Sequence, residues 1–422
     1  MDNILIHEQR TQYSVEKTSE MFKQTFQTHL TRVHYLDNLK VFLTVLVVLH
    51  HTAITYGAYG SWYYYATYLE GSNDPLTSIL LTIVTAINSS FFMAAFFLLS
   101  GYFTPGSYNR KGSVVYLKDR FIRLGIPFLS FVTIIIPLLI YYRNFTVFGV
   151  EYSLLEFYTL LLKKGIILNA GPLWFVQALL ILAICYTIWR VLTSTERFKT
   201  ILVSQEHYQN YVPSIKQIFL VIALVGLLTF LVRIFIPSDS PVELISPIIF
   251  YLPLGDFISY VSMFILGIVA YQQNWLSRIS ESQGKFWLKV VLGSIIILIG
   301  FIFLTGAFED DISVYLGGFS WESLLWSIWG SINCFAICIS LIPIFRKKFN
   351  DQNTFTRMLS QNAYTVYIIH APVLVVTSIS LSGIILHPLV KFIGILGITL
   401  ILCFGLSHLV IRRIPGAKRV VG

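Results

Sequence analysis

Ten apolar stretches recur along this chain of 422 residues, and each is close to the length of about 20 residues that a helix needs to cross a bilayer. The gaps between them hold turn-forming residues, for example at 71–75 and 351–353. Inside a bilayer the backbone polar groups must be satisfied by the protein itself, which favours helices. The sequence therefore predicts an all-α, polytopic membrane protein with about ten transmembrane helices, at 39–57, 79–103, 122–142, 172–193, 215–236, 251–272, 287–305, 322–345, 363–383 and 391–411.

The composition agrees with this class of protein. Hydrophobic residues make up 55% of the chain and charged residues 12%, about half the charged fraction of an average soluble domain. These values exclude a disordered chain and a disulfide scaffold, and they argue against a soluble enzyme. Cys334 and Cys338 lie four residues apart in one apolar stretch, with no second pair and no nearby histidine. We therefore expect two small buried side chains there and no metal site.

The basic residues alternate between successive gaps. If the N-terminus is cytoplasmic, the outside segments hold few of the 30 Lys and Arg residues, namely Arg143, Lys163, Lys164, Arg233 and Lys391. Because cytoplasmic loops carry an excess of Lys and Arg, both termini are predicted to be cytoplasmic. The same rule accounts for the net charge of +9 without nucleic-acid binding. The predicted organisation is a polar segment at 1–36 without a signal-peptide pattern, a transmembrane domain at 37–411 and a short basic tail at 412–422.

The first span carries ionisable residues, which are costly at membrane depth and are therefore functional candidates. From Lys40 to His51 is eleven residues, or about three turns plus 20°, so both side chains share one helix face with a rise of about 16 Å. His50 points about 80° away from that face. The structural alternative is a snorkelling Lys40, neutralised by Asp37, and a packed histidine.

A further histidine lies in the ninth span. His370 is predicted about 10 Å deep, where it can share a cavity with His51 if the two helices pack together. Pro372 follows and would free a backbone carbonyl. The alternative is a histidine that is satisfied by that carbonyl.

Other candidates mark the ends of spans. Arg120 and Arg123 share a face at the inner end of the third span, where they could clamp donor phosphates or meet lipid phosphates. Tryptophans on the outside could stack on sugar rings or anchor the protein at the interface. The stretch at 152–162 is amphipathic and is predicted to lie along the interface. The remaining candidates are Ser100, at the end of the second span, Asp256 and Glu322, near the outer ends of the sixth and eighth, and Trp62, Trp174 and Trp321.

Five motifs, in order along the chain, resemble those of membrane acyltransferase family 3, a family of ten-helix membrane proteins. The first is the Leu-Asp-x-Leu-Lys run at 36–40 followed by His51, where the family has Arg at the position of Lys40. Lys keeps the charge but loses the bidentate fork of Arg. The resemblance covers about residues 32–411, and the sequence looks most like the branch that contains periplasmic glucan succinyltransferases. The other motifs are Ser-Gly-Tyr at 100–102, Arg-Phe-x-Arg-Leu-x-x-Pro at 120–127, Leu-Trp-Phe at 173–175 and Tyr-x-x-His-x-Pro at 367–372.

The resemblance implies an O-acyltransferase of the inner or plasma membrane. It would move an acetyl- or succinyl-class group from a cytoplasmic acyl-CoA-type donor to a hydroxyl of an extracytoplasmic glycan or related envelope acceptor. His51 would take the hydroxyl's proton or briefly carry the acyl group. No bound cofactor is expected, acyl-CoA being a co-substrate, and the partners are the donor, the acceptor and the lipid bilayer. The implied roles are catalytic for His51, His370 and Lys40, donor-binding for Arg120, Arg123 and Ser100, and acceptor-side for Trp174, Asp256 and Glu322.

Two other classes of function stay open at this point. Ten helices with membrane-embedded histidines also suit a proton-coupled transporter or flippase of a polysaccharide or lipid precursor, although no internal repeat is visible. The Lys40 departure keeps a non-catalytic membrane partner of a polysaccharide machine possible. Turnover of acyl-CoA by the purified protein would separate the enzyme from both, whereas uptake without covalent change would favour the carrier.

Overall fold

The structure is a computed structural model, and it describes residues 33–71, 74–163, 170–193, 212–238, 252–305 and 313–421. Most of the predicted segment 1–36, and Lys164, lie outside these described residues. Every regular element within them is a helix, which confirms the all-α prediction. The main helices are α1 His34–Thr55, α2 Pro75–Arg120, α3 Ile136–Phe148, α4 Leu154–Lys163, α5 Trp174–Thr193, α6 Ile215–Phe235, α7 Leu254–Gln272, α8 Glu281–Thr305, α9 Trp321–Lys348, α10 Thr354–Ser380 and α11 Pro388–Leu409. Shorter helical turns cover Thr67–Glu70, Phe121–Gly125, Ile126–Ser130, Phe131–Ile135, Gly171–Leu173, Trp275–Arg278, Ser313–Leu316, Ile411–Arg413 and Ala417–Val421.

Nine helical runs in the described part of the chain are long and apolar enough to cross a membrane, and one of them, Pro75–Phe148, contains two of the ten predicted spans. Its 74 residues would extend about 110 Å if straight, several times the thickness of the hydrocarbon core. The run is bent, because Gly112 has φ 72° and ψ 170°. Across this bend the rings of Tyr108 and Tyr116 lie 5.5 Å apart. The predicted spans 79–103 and 122–142 therefore lie on opposite sides of the bend.

The helix starts follow the polar punctuation of the sequence. Asp74 caps α2 by accepting a hydrogen bond from the Thr77 amide at 3.0 Å, and Pro75 stands in the first turn, where its missing N–H has no partner to lose. Asn353 forms a capping box with Thr356 at the start of α10. Most of the amphipathic stretch predicted at 152–162 is helical and belongs to α4, which begins at Leu154.

Two glycines let α2 and α7 cross closely. A Cβ on Gly101 would collide with the Phe264 carbonyl, and one on Gly267 would collide with the Leu98 carbonyl. Lipid tails are as apolar as leucine, so small residues that allow backbones to approach are what brings membrane helices together. Cys334 and Cys338 are buried in the same bundle, as predicted.

Hydrogen bonds join neighbouring elements at both ends of the helix bundle. We call the end at which α1 begins the basic end and the opposite end the aromatic end. At the basic end Asn38 Nδ2 donates to the Phe349 carbonyl at 2.8 Å, which joins α1 to the end of α9. At the aromatic end the Tyr59 amide donates to Thr82 Oγ1 at 3.0 Å, which joins the segment after α1 to α2.

The segment between α1 and α2 is tied to the aromatic end by polar contacts. Arg143 Nη1 donates to the Tyr63 carbonyl at 3.0 Å. Lys391 Nζ lies 2.7 Å from Glu70 Oε1 in a buried ion pair between this segment and α11. Burial raises the pKa of the Glu70 carboxyl, and the Lys391 ammonium partly offsets this rise. These contacts hold Trp62 in a fixed place above the end of α1.

Candidate active site

The two predicted histidines lie in direct contact between α1 and α10. His370 Nε2 is 3.1 Å from His51 Nδ1, and the ring centroids are 5.0 Å apart. His51 Nδ1 is also 3.0 Å from the Val47 carbonyl, and His370 Nδ1 is 2.6 Å from the Tyr367 carbonyl. His370 is fully buried, whereas His51 is partly exposed. The two helices therefore pack together at these histidines, although His51 and not His370 lines the cavity described below.

These contacts determine which ring nitrogen of each neutral imidazole carries the proton. A carbonyl oxygen can only accept, so His370 Nδ1 must donate to Tyr367, and the neutral ring then has an acceptor at Nε2. That acceptor requires a donor at His51 Nδ1, which is shared between His370 and the Val47 carbonyl. His51 Nε2 is left with a free lone pair. The arrangement thus presents a proton acceptor at one defined atom.

The carbonyl that partners His370 in α10 differs from the one that Pro372 frees. Pro372 lacks the N–H that would bond to the carbonyl four residues earlier, which is that of Ile368. His370 Nδ1 instead bonds to the carbonyl of Tyr367, the residue that precedes Ile368. The predicted carbonyl partner of His370 is therefore present, but it is not the one that the proline frees.

Trp62 lies flat against the histidine pair. Its ring stacks on His51 with 3.9 Å between centroids and an interplanar angle of 21°, and it lies 6.1 Å from the His370 ring. His50, which the helical spacing turns away from His51, stacks on Phe92 at 5.2 Å. Its Nδ1 is buried without a partner among the described residues. Aromatic rings therefore hold both imidazoles of α1 in place.

A hydrogen bond links Tyr367, whose carbonyl accepts from His370, to the turn before α5. The Tyr367 hydroxyl donates to the Pro172 carbonyl, in the turn that precedes Trp174. The Leu-Trp-Phe and Tyr-x-x-His motifs, far apart in sequence, are thus joined by one hydrogen bond.

A cavity of about 650 Å³ extends from the histidines toward the aromatic end. Both His50 and His51 line it, and so does Trp174, whose ring lies 5.2 Å from that of Tyr260. Asp256, in the first turn of α7, lines the same cavity. Two of the predicted acceptor-side residues, Trp174 and Asp256, are therefore in one space with His51.

Arg233 is the functional candidate that sequence reasoning missed. It was counted only among the outside charges, yet its side chain is 7% exposed and lines the cavity. Its Nη2 pairs with Asp256, and its Nη1 donates to Ser327 Oγ at 3.1 Å. The sequence signal for this residue is an arginine two residues before the end of α6, together with an aspartate in the first turn of α7. Both are charged residues at the same end of the bundle.

Lys40, predicted to be catalytic, lies at the basic end with the predicted donor-binding residues and does not line the cavity. Lys40 Nζ is 3.2 Å from Asp37 and 4.1 Å from the centre of the Phe103 ring. This ion pair is the neutralisation by Asp37 that the structural alternative for Lys40 predicts. Ser100 lies in α2, where its carbonyl accepts from Thr104 Oγ1 at 2.8 Å.

The two motif arginines occupy different surroundings. The Arg120 guanidinium lies over the Tyr116 ring at 4.9 Å, whereas Arg123 is exposed and its backbone carbonyl accepts from the Tyr364 hydroxyl at 2.6 Å. The expected shared face assumed α-helical spacing, but Phe121–Gly125 forms a π-helical turn, which has more residues per turn.

Glu322 and Trp321 do not contribute to the cavity. They lie in the first turn of α9, where Trp321 is exposed, and neither lines the space that contains His51. The acceptor-side role expected for Glu322 therefore stays a prediction, and Trp321 keeps its alternative role as an interface anchor. Within the described residues, no three His, Cys, Asp or Glu side chains are grouped as ligands for a metal ion.

A family model described as an acyltransferase domain matches residues 33–408, which includes every residue of the histidine pair and the cavity. No curated protein and no solved structure matches the chain significantly.

Proposed function

From the premise that this chain belongs to membrane acyltransferase family 3 and is an O-acyltransferase, we propose that it moves an acetyl- or succinyl-class group onto a hydroxyl of an extracytoplasmic glycan or related envelope acceptor. The observation that carries the proposal is the orientation of His51, whose Nε2 lone pair is available beside a cavity of about 650 Å³. Acyl transfer to a hydroxyl needs one positioned base and space for an acceptor, and this arrangement offers both.

The donor in this proposal is an acyl-CoA-type thioester that enters from the basic end. Lys40, Arg120 and Arg123 would attract its phosphates there. Lys40 and His51 share α1 with a rise of about 16 Å between them, so an extended donor could hold its charged part at Lys40 while its thioester reaches His51. We propose that the basic end faces the cytoplasm and that the protein lies in the inner or plasma membrane, because Lys and Arg accumulate on the cytoplasmic side.

The proposed reaction is a direct transfer with His51 as general base. His51 Nε2 takes the proton from the acceptor hydroxyl, whose oxygen attacks the thioester carbonyl carbon and forms a C–O bond. The tetrahedral intermediate then breaks its C–S bond, and His51 returns the proton to the departing thiolate. The products are the acyl ester and the free thiol. A general base of this kind contributes about 10²- to 10⁴-fold to the rate.

His370 acts as a positioning residue in this mechanism. By accepting from His51 Nδ1 it fixes the ring orientation, and it stabilises the imidazolium that forms when Nε2 takes the proton. Its own orientation is fixed by the Tyr367 carbonyl. The logic is that of a base oriented by a third group.

Mass spectrometry of envelope glycans and lipids tests the proposal. Cells would carry wild-type protein, His51→Ala, His408→Ala or no protein, with His408 as the matched control because it is an exposed histidine at the basic end of α11. We expect an acetyl- or succinyl-class mass increment with wild-type and His408→Ala only. An increment retained in His51→Ala would contradict the role of His51. Substrate uptake without any increment would favour the carrier.

A further inference from the structure

We propose that Arg233 and Asp256 form a binding subsite for an uncharged vicinal diol, such as two neighbouring hydroxyls of a neutral sugar ring, at the aromatic-end wall of the cavity. This subsite deepens the proposed function and rests on it for its place in the reaction. It restricts the proposed acceptor to uncharged molecules that carry two neighbouring hydroxyls.

The first observation is an unfilled hydrogen-bonding capacity. Arg233 Nε is buried and has no partner among the described residues, although Nη1 and Nη2 are both engaged. Asp256 Oδ1 accepts from Arg233 and from Ser238, whereas Oδ2 forms no hydrogen bond with a described residue. A buried arginine normally uses all its donors, because an unmade bond costs the desolvation of that group. The pair therefore retains one donor and one acceptor that no described residue uses.

The neighbouring α9 surface adds to this capacity. Ser331 is 1% exposed, lines the cavity, and its Oγ has no partner among the described residues. Ser327, one turn earlier, already binds Arg233 Nη1. Each hydroxyl of a diol can donate and accept at once, so a diol matches a wall that presents N–H, carboxylate oxygen and hydroxyl together.

The charge of the cavity points to a neutral ligand. Among the described residues that line it, Arg233 and Asp256 are the only Arg, Lys, Asp or Glu side chains, and they neutralise each other. An anionic ligand would lack a free cation and would lie beside a carboxylate. A neutral ligand meets neither penalty.

Aromatic rings give the wall a second feature of a sugar site. Trp174 and Tyr260 lie 5.2 Å apart along it, and Trp326 and Trp329 stack at 5.0 Å on α9. An apolar ring face beside a few convergent polar groups is typical of pockets that orient a small ligand. The space continues to His51, so a ring held at Arg233 can present another hydroxyl to the base.

Binding of three related trisaccharides to the full chain in nanodiscs tests the subsite. The probes are cellotriose, its C6-oxidised uronate and its permethylated form, and the readout is intrinsic fluorescence, because Trp174, Trp326 and Trp329 line the cavity. We expect cellotriose to bind at least 10-fold more tightly than either analogue. Equal binding of the uronate, or no saturable change with cellotriose, would overturn the proposal.

A charge-removing variant distinguishes recognition from a structural role. In Asp256→Asn the carboxylate is lost and Arg233 is no longer neutralised, so cellotriose should bind about 10-fold more weakly and the preference should reverse toward the uronate. Ser331→Ala should weaken cellotriose about threefold without that reversal. Glu281→Gln removes the acidic partner of the exposed Lys347 and serves as the matched control, with unchanged binding of all probes. An unchanged preference in folded Asp256→Asn would also overturn the subsite.

If Asp256→Asn does not fold, as judged by size-exclusion profile, the comparison of the three probes on the wild-type protein still decides the outcome. The assay contains no acyl donor, so it is independent of transfer. Selective cellotriose binding without any acyl transfer would mean that only the proposed function fails. Acyl transfer without selective binding would mean that only the subsite fails.

Discussion

The cavity and the basic end hold their polar groups in different ways. Around the cavity, His370 and Arg233 are buried, and each is fixed by hydrogen bonds to other helices. At the basic end, Lys40 and Arg123 are partly or fully exposed, and Lys40 and Arg120 lie over aromatic rings. The cavity is therefore organised before a ligand arrives, whereas the charged side chains at the basic end must become ordered when a ligand binds.

This difference predicts two kinds of kinetic effect. Groups already fixed where charge develops act on the chemical step. Exposed charges steer and hold an anionic ligand and are screened by salt. Substitutions at the histidine pair should therefore lower kcat, and substitutions at the basic end should raise the KM for the donor.

The largest expected effect follows from His51→Ala. Loss of the base should reduce kcat for acyl transfer by at least about 100-fold, because general base catalysis contributes about that much or more. The measurement is transfer of a labelled acyl group by protein in vesicles, with His408→Ala as the control. Activity within a few-fold of wild type would show that His51 is not the base. The cavity and the basic end would then no longer differ in function.

His370 should show a smaller effect that depends on the substituted side chain. His370→Leu removes the acceptor for His51 Nδ1 and should lower kcat about 100-fold, whereas His370→Gln retains an acceptor and should lose only about 10-fold. The KM for the donor should stay constant in both variants. Equal losses in Leu and Gln variants would indicate that His370 contributes packing alone.

Trp62 sharpens the comparison, because it is an aromatic contact of the histidine pair rather than of the basic end. Trp62→Ala removes the ring stacked on His51, and a stacking contact of about 0.5–1.5 kcal/mol corresponds to a kcat loss of about 2- to 10-fold. Trp62→Phe should retain most of the activity. A change in donor KM without a change in kcat would place Trp62 with the donor instead.

The smallest effect is expected for Lys40 at the basic end. Lys40→Ala should raise the KM for the acyl donor about threefold at low salt, with less difference at high salt, because the charge is half-exposed. Lys40→Arg should bind the donor at least as well as wild type, since Arg adds a bidentate fork. A fall in kcat as large as that of His370→Leu would show that the basic end also acts on the chemistry.

The candidate site was predictable in part. Eleven residues of helix were enough to place Lys40 and His51 on one face of α1, and the depth of His370 was enough to expect a shared cavity. Glu322 is not among the residues that line the cavity, because a position near the outer end of a span does not fix which neighbours a side chain meets. Arg233 was missed, since its partner Asp256 lies 23 residues away on another helix.

The sequence alone determined the all-α membrane architecture, the apolar spans and the family, because apolar length, helical period and turn residues are local properties of the chain. Only the tertiary structure decided that His370 bonds to His51 across 319 residues, that Trp62 covers the pair and that Arg233 neutralises Asp256. The physical reason lies in the solvent. In lipid, hydrophobicity does not select which helices pack together, so close contacts such as Gly101 against Phe264 and paired polar groups make that selection.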